Sequence, residues 1–139
     1  MTLDVADNRT IEQRRAAHAL AQVQSIANRE YGHYVSYVSR LPATIVMNGL
    51  GQALTMLLAA AGRKEDPTND PHRWLYDHVA SWLSGHVPEL QGDSTDHVIR
   101  ALMEHDQAVY VRAQGEAMAY LQWLKQFARA YLREAEGQE

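Results

Sequence analysis

Leu41-Pro42-Ala43-Thr44-Ile45-Val46-Met47-Asn48-Gly49-Leu50-Gly51-Gln52-Ala53-Leu54-Thr55-Met56-Leu57-Leu58-Ala59-Ala60-Ala61 runs for 21 residues without a charged side chain. That is long enough for a helix to cross a bilayer. Its interior argues otherwise. Pro42, Asn48, Gln52 and the glycines Gly49 and Gly51 interrupt the apolar run, and Arg40 and Arg63-Lys64 flank it. A helix buried on all sides within a bundle accounts for this pattern better than a membrane span does. The stretch therefore reads as the centre of an all-α protein.

Working outward, apolar residues recur at the three-and-four spacing of helices, and sustained strand alternation is missing. A first helix is expected from Thr10, its N-cap, to about Tyr31, with Ala16, Leu20, Val23, Ala27 and Tyr31 on one face. Tyr34 to Arg40 is expected to be helical, with Pro42 forcing a break or kink. A second long helix then spans Ala43 to Ala61, closed by Gly62. Asp70-Pro71 reads as N-cap and first-turn proline of a helix that carries Trp74, Leu75, His78, Val79, Trp82 and Leu83 and ends near Gly85. A short helix covers about Ser94 to Glu104. The last and longest covers about Asp106 to Glu134, with a stripe of Tyr110, Ala113, Ala117, Leu121, Leu124, Ala128 and Tyr131. The expectation is a compact single-domain helical bundle of about five to six helices over residues 1–139, with 1–8 and 134–139 as flexible tails.

A chain of 139 residues with 46% hydrophobic content has the length and composition for one well-buried core. The absence of cysteine excludes disulfides, thiolate nucleophiles and sulfur metal sites, and suits a reducing cytosol. The acidic start Met1-Thr2-Leu3-Asp4-Val5-Ala6-Asp7 lacks the features of a secretory signal, so a cytoplasmic location is expected. A net charge of −4 argues against bulk attraction to nucleic acid. The acids, however, concentrate in termini, linkers and helix starts, which leaves the helix interiors more basic than the total.

Seven histidines raise the question of metal, but no two stand at i, i+4, so no metal site and no cofactor are expected. Glu104-His105-Asp106 is a run of titratable groups whose side chains diverge on a helix, and no nucleophile and base converge elsewhere. An enzyme is not expected. Gly49 and Ala53 stand at i, i+4, as do Gly51 and Thr55. Glycine costs about 1 kcal/mol against alanine inside a helix, so its presence calls for a reason. Either Asn48, Gly49 and Gly51 permit close packing within the bundle, or they open a notch for a partner chain or a nucleic-acid backbone. Two basic sets remain: Arg14, Arg15, Arg29 and Arg40, and Arg112, Lys125, Arg129 and Arg133. Lys125, Arg129 and Arg133 share one face at i, i+4, i+8, and Glu116 is the one acid well inside that helix. Such a row is either a solvated face or a phosphate-contacting one.

The segment from Leu41 to Leu54 resembles the signature of the small helical subunit of the type III-B CRISPR RNA-guided effector, the Cmr complex. Ala119-Tyr120-Leu121-Gln122-Trp123-Leu124-Lys125-Gln126-Phe127-Ala128 is similar to a second family segment, and Gln13-Arg14-Arg15-Ala16 to the family's opening. The matching segments span about half the chain. The resemblance implies a non-catalytic subunit that stacks in several copies along the complex, beside other Cmr subunits, and helps to position CRISPR RNA and target RNA. Arg14, Arg15, Arg40, Lys125, Arg129 and Arg133 are then candidates for phosphate contact, which fixes register without reading sequence. The alternative is a helical protein–protein adaptor with no RNA contact, docking through exposed aromatics such as Trp74 or Trp82.

Overall fold

In the computed structural model, which describes residues 7–133, Thr10 opens helix α1 (Ile11–Ile26) with a reciprocal capping box. Its hydroxyl accepts from the Gln13 amide at 3.0 Å, and the Gln13 side chain accepts from the Thr10 amide at 2.8 Å. Five further helices follow: α2 (Tyr34–Asn48), α3 (Leu50–Gly62), α4 (Pro71–His86), α5 (Asp96–Glu104) and α6 (Gln107–Tyr131). Single 3₁₀ turns at Pro67–Asn69 and Pro88–Leu90 complete the described residues, which contain no strand. The fold is the all-α bundle expected. Most of the tails, residues 1–6 and 134–139, lie outside the described residues; the last helix, expected to reach about Glu134, ends at Tyr131, where Leu132 turns extended (φ −115°, ψ 153°).

Two further boundaries depart from the sequence reading. Helix α1 stops at Ile26 and not near Tyr31, because the chain turns through Ala27–Arg29 to start α2; Ala27 is exposed, and Ile26 and Ala19 take its place in the core. The second departure is larger. Pro42 neither breaks nor ends a helix: α2 runs through it to Asn48, and the break falls at Gly49, with φ +85° and ψ 158°. A proline forfeits one amide donor, a loss a packed helix tolerates, whereas a positive φ is a conformation that glycine alone adopts at low cost. The charge-free stretch is therefore two helices, α2 and α3, folded back at Gly49.

Helix α6 is the axis of the bundle. It packs against α1, α2 and α4 and buries Ala113, Ala117, Tyr120, Leu121, Leu124 and Ala128. Three alanines on that face let neighbouring backbones approach closely, while Tyr120 and the leucines fill the space between layers. Tyr131, expected in the stripe, is exposed at its end. Helix α4 is buried over most of its circumference (Trp74, Leu75, Tyr76, His78, Val79, Ala80, Trp82 and Leu83) and lies between α3, α6 and α2. Its start follows the expected chemistry: the Asp70 carboxylate accepts from the His72 amide at 2.8 Å and Pro71 holds the first turn. Among the described residues no helix is long and apolar enough to cross a membrane.

Candidate interaction surfaces

The six basic candidates do not converge on one surface. Arg15 turns inward. Its guanidinium donates to both Glu116 carboxylate oxygens, at 2.6 and 2.8 Å, and to Glu12 at 2.7 Å, with only 14% of its side chain exposed. Trp82 Nε1 donates to the same Glu116 at 2.8 Å, so this carboxylate ties α1, α4 and α6 together. Burial pushes the Glu116 carboxyl upward, but the hydrogen bonds from Arg15 and Trp82 outweigh it and leave the group below its ordinary range. Arg14, on the preceding position of α1, is half-buried, and its Nε has no acceptor among the described residues.

Arg40 lies on α2, exposed, with its guanidinium 5.8 Å above the Tyr37 ring. Lys125 and Arg129 lie on α6, the first half-buried and the second exposed; neither forms an ion pair among the described residues. Arg133 follows the helix, exposed, and its backbone amide donates to the Tyr31 hydroxyl at 2.8 Å. Other arginines are engaged elsewhere. Arg73 binds Asp77 and Asp96, Arg112 binds Glu89, and Arg29 covers the Trp74 ring at 4.0 Å.

Gly49 and Gly51 face the chain's own α6. The Gly51 amide donates to the Tyr110 hydroxyl at 2.7 Å, and the Leu50 amide to Gln114 Oε1 at 2.9 Å. A Cβ on Gly51 would approach Met103 Cε to 2.8 Å and the Tyr110 hydroxyl to 3.2 Å. Asn48 is exposed beside them. Around this end of the bundle stand exposed apolar side chains: Val46 and Met47 (81% exposed) on the last turn of α2, Met103 on α5 and Val111 on α6.

Trp74 and Trp82, expected as docking aromatics, are 5% and 8% exposed and closed to a partner. Arg29 covers the first, and the second stacks between His86 and Tyr120, with ring centroids 4.9 and 5.5 Å away. Sequence reasoning also missed a groove between α2 and α3. Arg40 and Arg63 both line it, with Tyr37 and His72 closing one end. Its signal was present: these arginines bracket the charge-free stretch, and folding that stretch at Gly49 brings its ends together. The described residues contain no cluster of three or more His, Asp or Glu that could hold a metal ion.

A family model described as CRISPR-associated protein (Cas_Cmr5) matches residues 11–131, from the first residue of α1 to the last of α6. The chain belongs to the Cmr5 family. Its fold agrees. The crystal structure of a CRISPR-associated Cmr5 family protein from Thermus thermophilus is similar at a TM-score of 0.72 and 27% identity, covering 90% of this chain and 100% of that one. Family membership associates the chain with the Cmr complex and its other subunits. The Cmr5 match spans the whole bundle, including the Gly49 turn, the Arg15–Glu116 pair and the α2–α3 groove.

Proposed function

We propose that this chain is a non-catalytic scaffold subunit of a Cmr-type RNA-guided effector, stacking with copies of itself and helping to position guide and target RNA. The family match over residues 11–131 carries the reading, since it encompasses every helix of the bundle. The cations for phosphate contact are Lys125 and Arg129, one turn apart on α6, together with Arg133 just beyond the helix end at Tyr131, so the expected i, i+4, i+8 row on one helical face stops at Arg129. Arg15 contributes to the bundle itself, because its charge is already held by Glu116. Arg14 and Arg40 sit on other parts of the surface and are secondary candidates. Contacts of this kind position a backbone and leave sequence recognition to base pairing.

The test is RNA binding across a salt series, by the chain alone and assembled with the other effector subunits. Replacing Arg129 with Gln is expected to weaken binding to all RNA sequences alike and to reduce the salt slope by about one unit. An unchanged slope for each of Lys125→Gln, Arg129→Gln and Arg133→Gln would remove this face from the RNA path.

One observation favours a second reading, the protein-only adaptor. Val46, Met47, Met103 and Val111 expose aliphatic surface near the Gly49 turn, and such surface commonly marks protein contacts. Met47→Asp would then prevent incorporation while leaving the fold intact, and the α6 cations would be dispensable for both assembly and RNA affinity.

A further inference from the structure

Helices α2 and α3 diverge from Gly49 and enclose, with the first turn of α4, a groove of about 440 Å³. Its floor is aliphatic, built by Leu41, Ala53, Met56, Leu57 and Ala60. Met56 is half exposed in it, a flexible side chain that adapts to what it meets. Arg40 and Arg63 line its edges, one from each helix. Neither has a carboxylate partner among the described residues, in contrast to Arg9, Arg15, Arg73 and Arg112, each of which does. In a chain of net charge −4, two unneutralised guanidinium groups beside an aliphatic floor form a local positive site with an apolar bed.

The aromatic end of the groove decides what class of ligand fits. One face of Tyr37 is stacked on His72, at 3.8 Å and 20°, and the Arg40 guanidinium also lies over the Tyr37 ring. With His72 on one face and the Arg40 guanidinium over the ring, Tyr37 is a poor platform for a nucleobase to stack on. The Asp70 carboxylate, which accepts from His72 Nδ1 at 2.7 Å, confines the positive charge to the Arg40 and Arg63 edges, which suits two discrete anionic groups better than an unbroken run of phosphates. An aliphatic side chain suits the floor, and carboxylates suit the two guanidinium forks.

We propose that this groove docks a short peptide segment of a partner subunit, in which an aliphatic side chain is flanked by carboxylates. The aliphatic group rests on Leu41, Met56 and Ala60, and the carboxylates pair with Arg40 and Arg63. This rests on the reading of the chain as a subunit of a larger assembly, and it places a protein contact on a face separate from the α6 cations.

The experiment is a titration of the ¹⁵N-labelled chain with the peptide acetyl-Asp-Leu-Asp-Ile-Glu-amide, followed by amide chemical shifts. A version of the peptide with Asn and Gln for its acids, and oligouridylate, are titrated in parallel. Saturable shifts at Thr44, Ala53 and Ala60 with the acidic peptide alone are expected. The double variant Arg40→Gln, Arg63→Gln, which alters side chains at the groove edge, is expected to weaken the affinity about tenfold or more through loss of two charge-assisted contacts. Ala60→Trp fills the floor and is expected to abolish binding with both arginines kept. No saturable shift with the acidic peptide, or equal affinity in the double variant, overturns the proposal. So does a response of these same amides to oligouridylate and not to peptide, which would make the groove an RNA site. Incorporation of the wild-type chain into the effector is measured separately, so failure here is distinguishable from failure of the subunit reading.

Discussion

The backbone amide of Gly51 donates to the hydroxyl of Tyr110, 2.7 Å away and 59 residues later in the chain. The first amides of a helix lack partners within it, and a side chain just before the helix ordinarily supplies one. Gly49 has no side chain to offer, so α6 supplies the acceptors, through Tyr110 and Gln114. Replacing Tyr110 with Phe keeps the ring and removes the acceptor. The variant is expected to lose about 1–2 kcal/mol in urea unfolding, since the Gly51 amide is then buried without a partner. A loss no larger than experimental error would show that water replaces the hydroxyl.

Gly49 itself is predicted to resist substitution. Its φ of +85° strains any L side chain, and a Cβ there would approach the Tyr110 hydroxyl to 3.1 Å. Gly49→Ala is expected to cost about 1–2 kcal/mol, where the same change in an ordinary helix interior would stabilise. Thermal unfolding of the two proteins side by side checks this.

Glu116 is the single carboxylate that Arg15 and Trp82 share. Glu116→Gln is expected to destabilise by about 2–3 kcal/mol, because Arg15 then keeps a largely buried charge without its main partner. The pH dependence follows from the lowered folded-state pKa. Stability from this group is fully present above the ordinary carboxylate pKa and is lost as pH falls through the depressed one. Unfolding free energies measured below pH 5 should fall more steeply with acid in the wild type than in Glu116→Gln.

His78 points the other way in charge but the same way in pH. Burial, reinforced by His18 and Arg29, pulls its pKa down to about 3. Its Nδ1 lies 2.6 Å from the Tyr34 hydroxyl, a hydrogen bond that the neutral ring satisfies in either tautomer. The unfolded chain binds a proton near pH 6.5 that the folded chain refuses. Stability is therefore complete above that value and declines as pH drops from 6.5 towards 3, by up to about 1.4 kcal/mol per pH unit for one such group. His18, also held below its ordinary range by burial, adds to the same window. Urea midpoints at pH 7, 6 and 5 should decline in the wild type and flatten in His78→Gln.

Arg15 and Arg129 separate structure from binding. Arg15→Gln is expected to lower the melting temperature and leave the RNA salt slope unchanged, whereas Arg129→Gln should do the reverse. Melting curves and salt-series binding on both variants decide it. Loss of slope in Arg15→Gln at unchanged stability would return Arg15 to the RNA face.

What was legible in the sequence was local chemistry. Thr10, and Asp70 with Pro71, were readable in place as helix starts, and each caps its helix with a side chain within three residues of the amide it satisfies; the reciprocal bond from Gln13 and the cap by Asp106 came from the structure. The Gly49 turn was not readable, because its partners lie on α6, and in a one-dimensional reading Pro42 carries the stronger break signal. The same limit governed the surface. Arg15 and Trp82 looked available until Glu116, 101 and 34 residues away, engaged them both. Arg40 was legible as a cation, but its pairing with Arg63 depended on the misplaced turn.

The central position of α6 bears on how the molecule is made. Every other described helix precedes it in the chain, yet its alanine face forms the middle of the core and its side chains hold the start of α3. Until α6 is synthesised, the apolar faces that α1, α2 and α4 turn towards it have no partner within the chain. The bundle closes in one late step, when its last helix arrives.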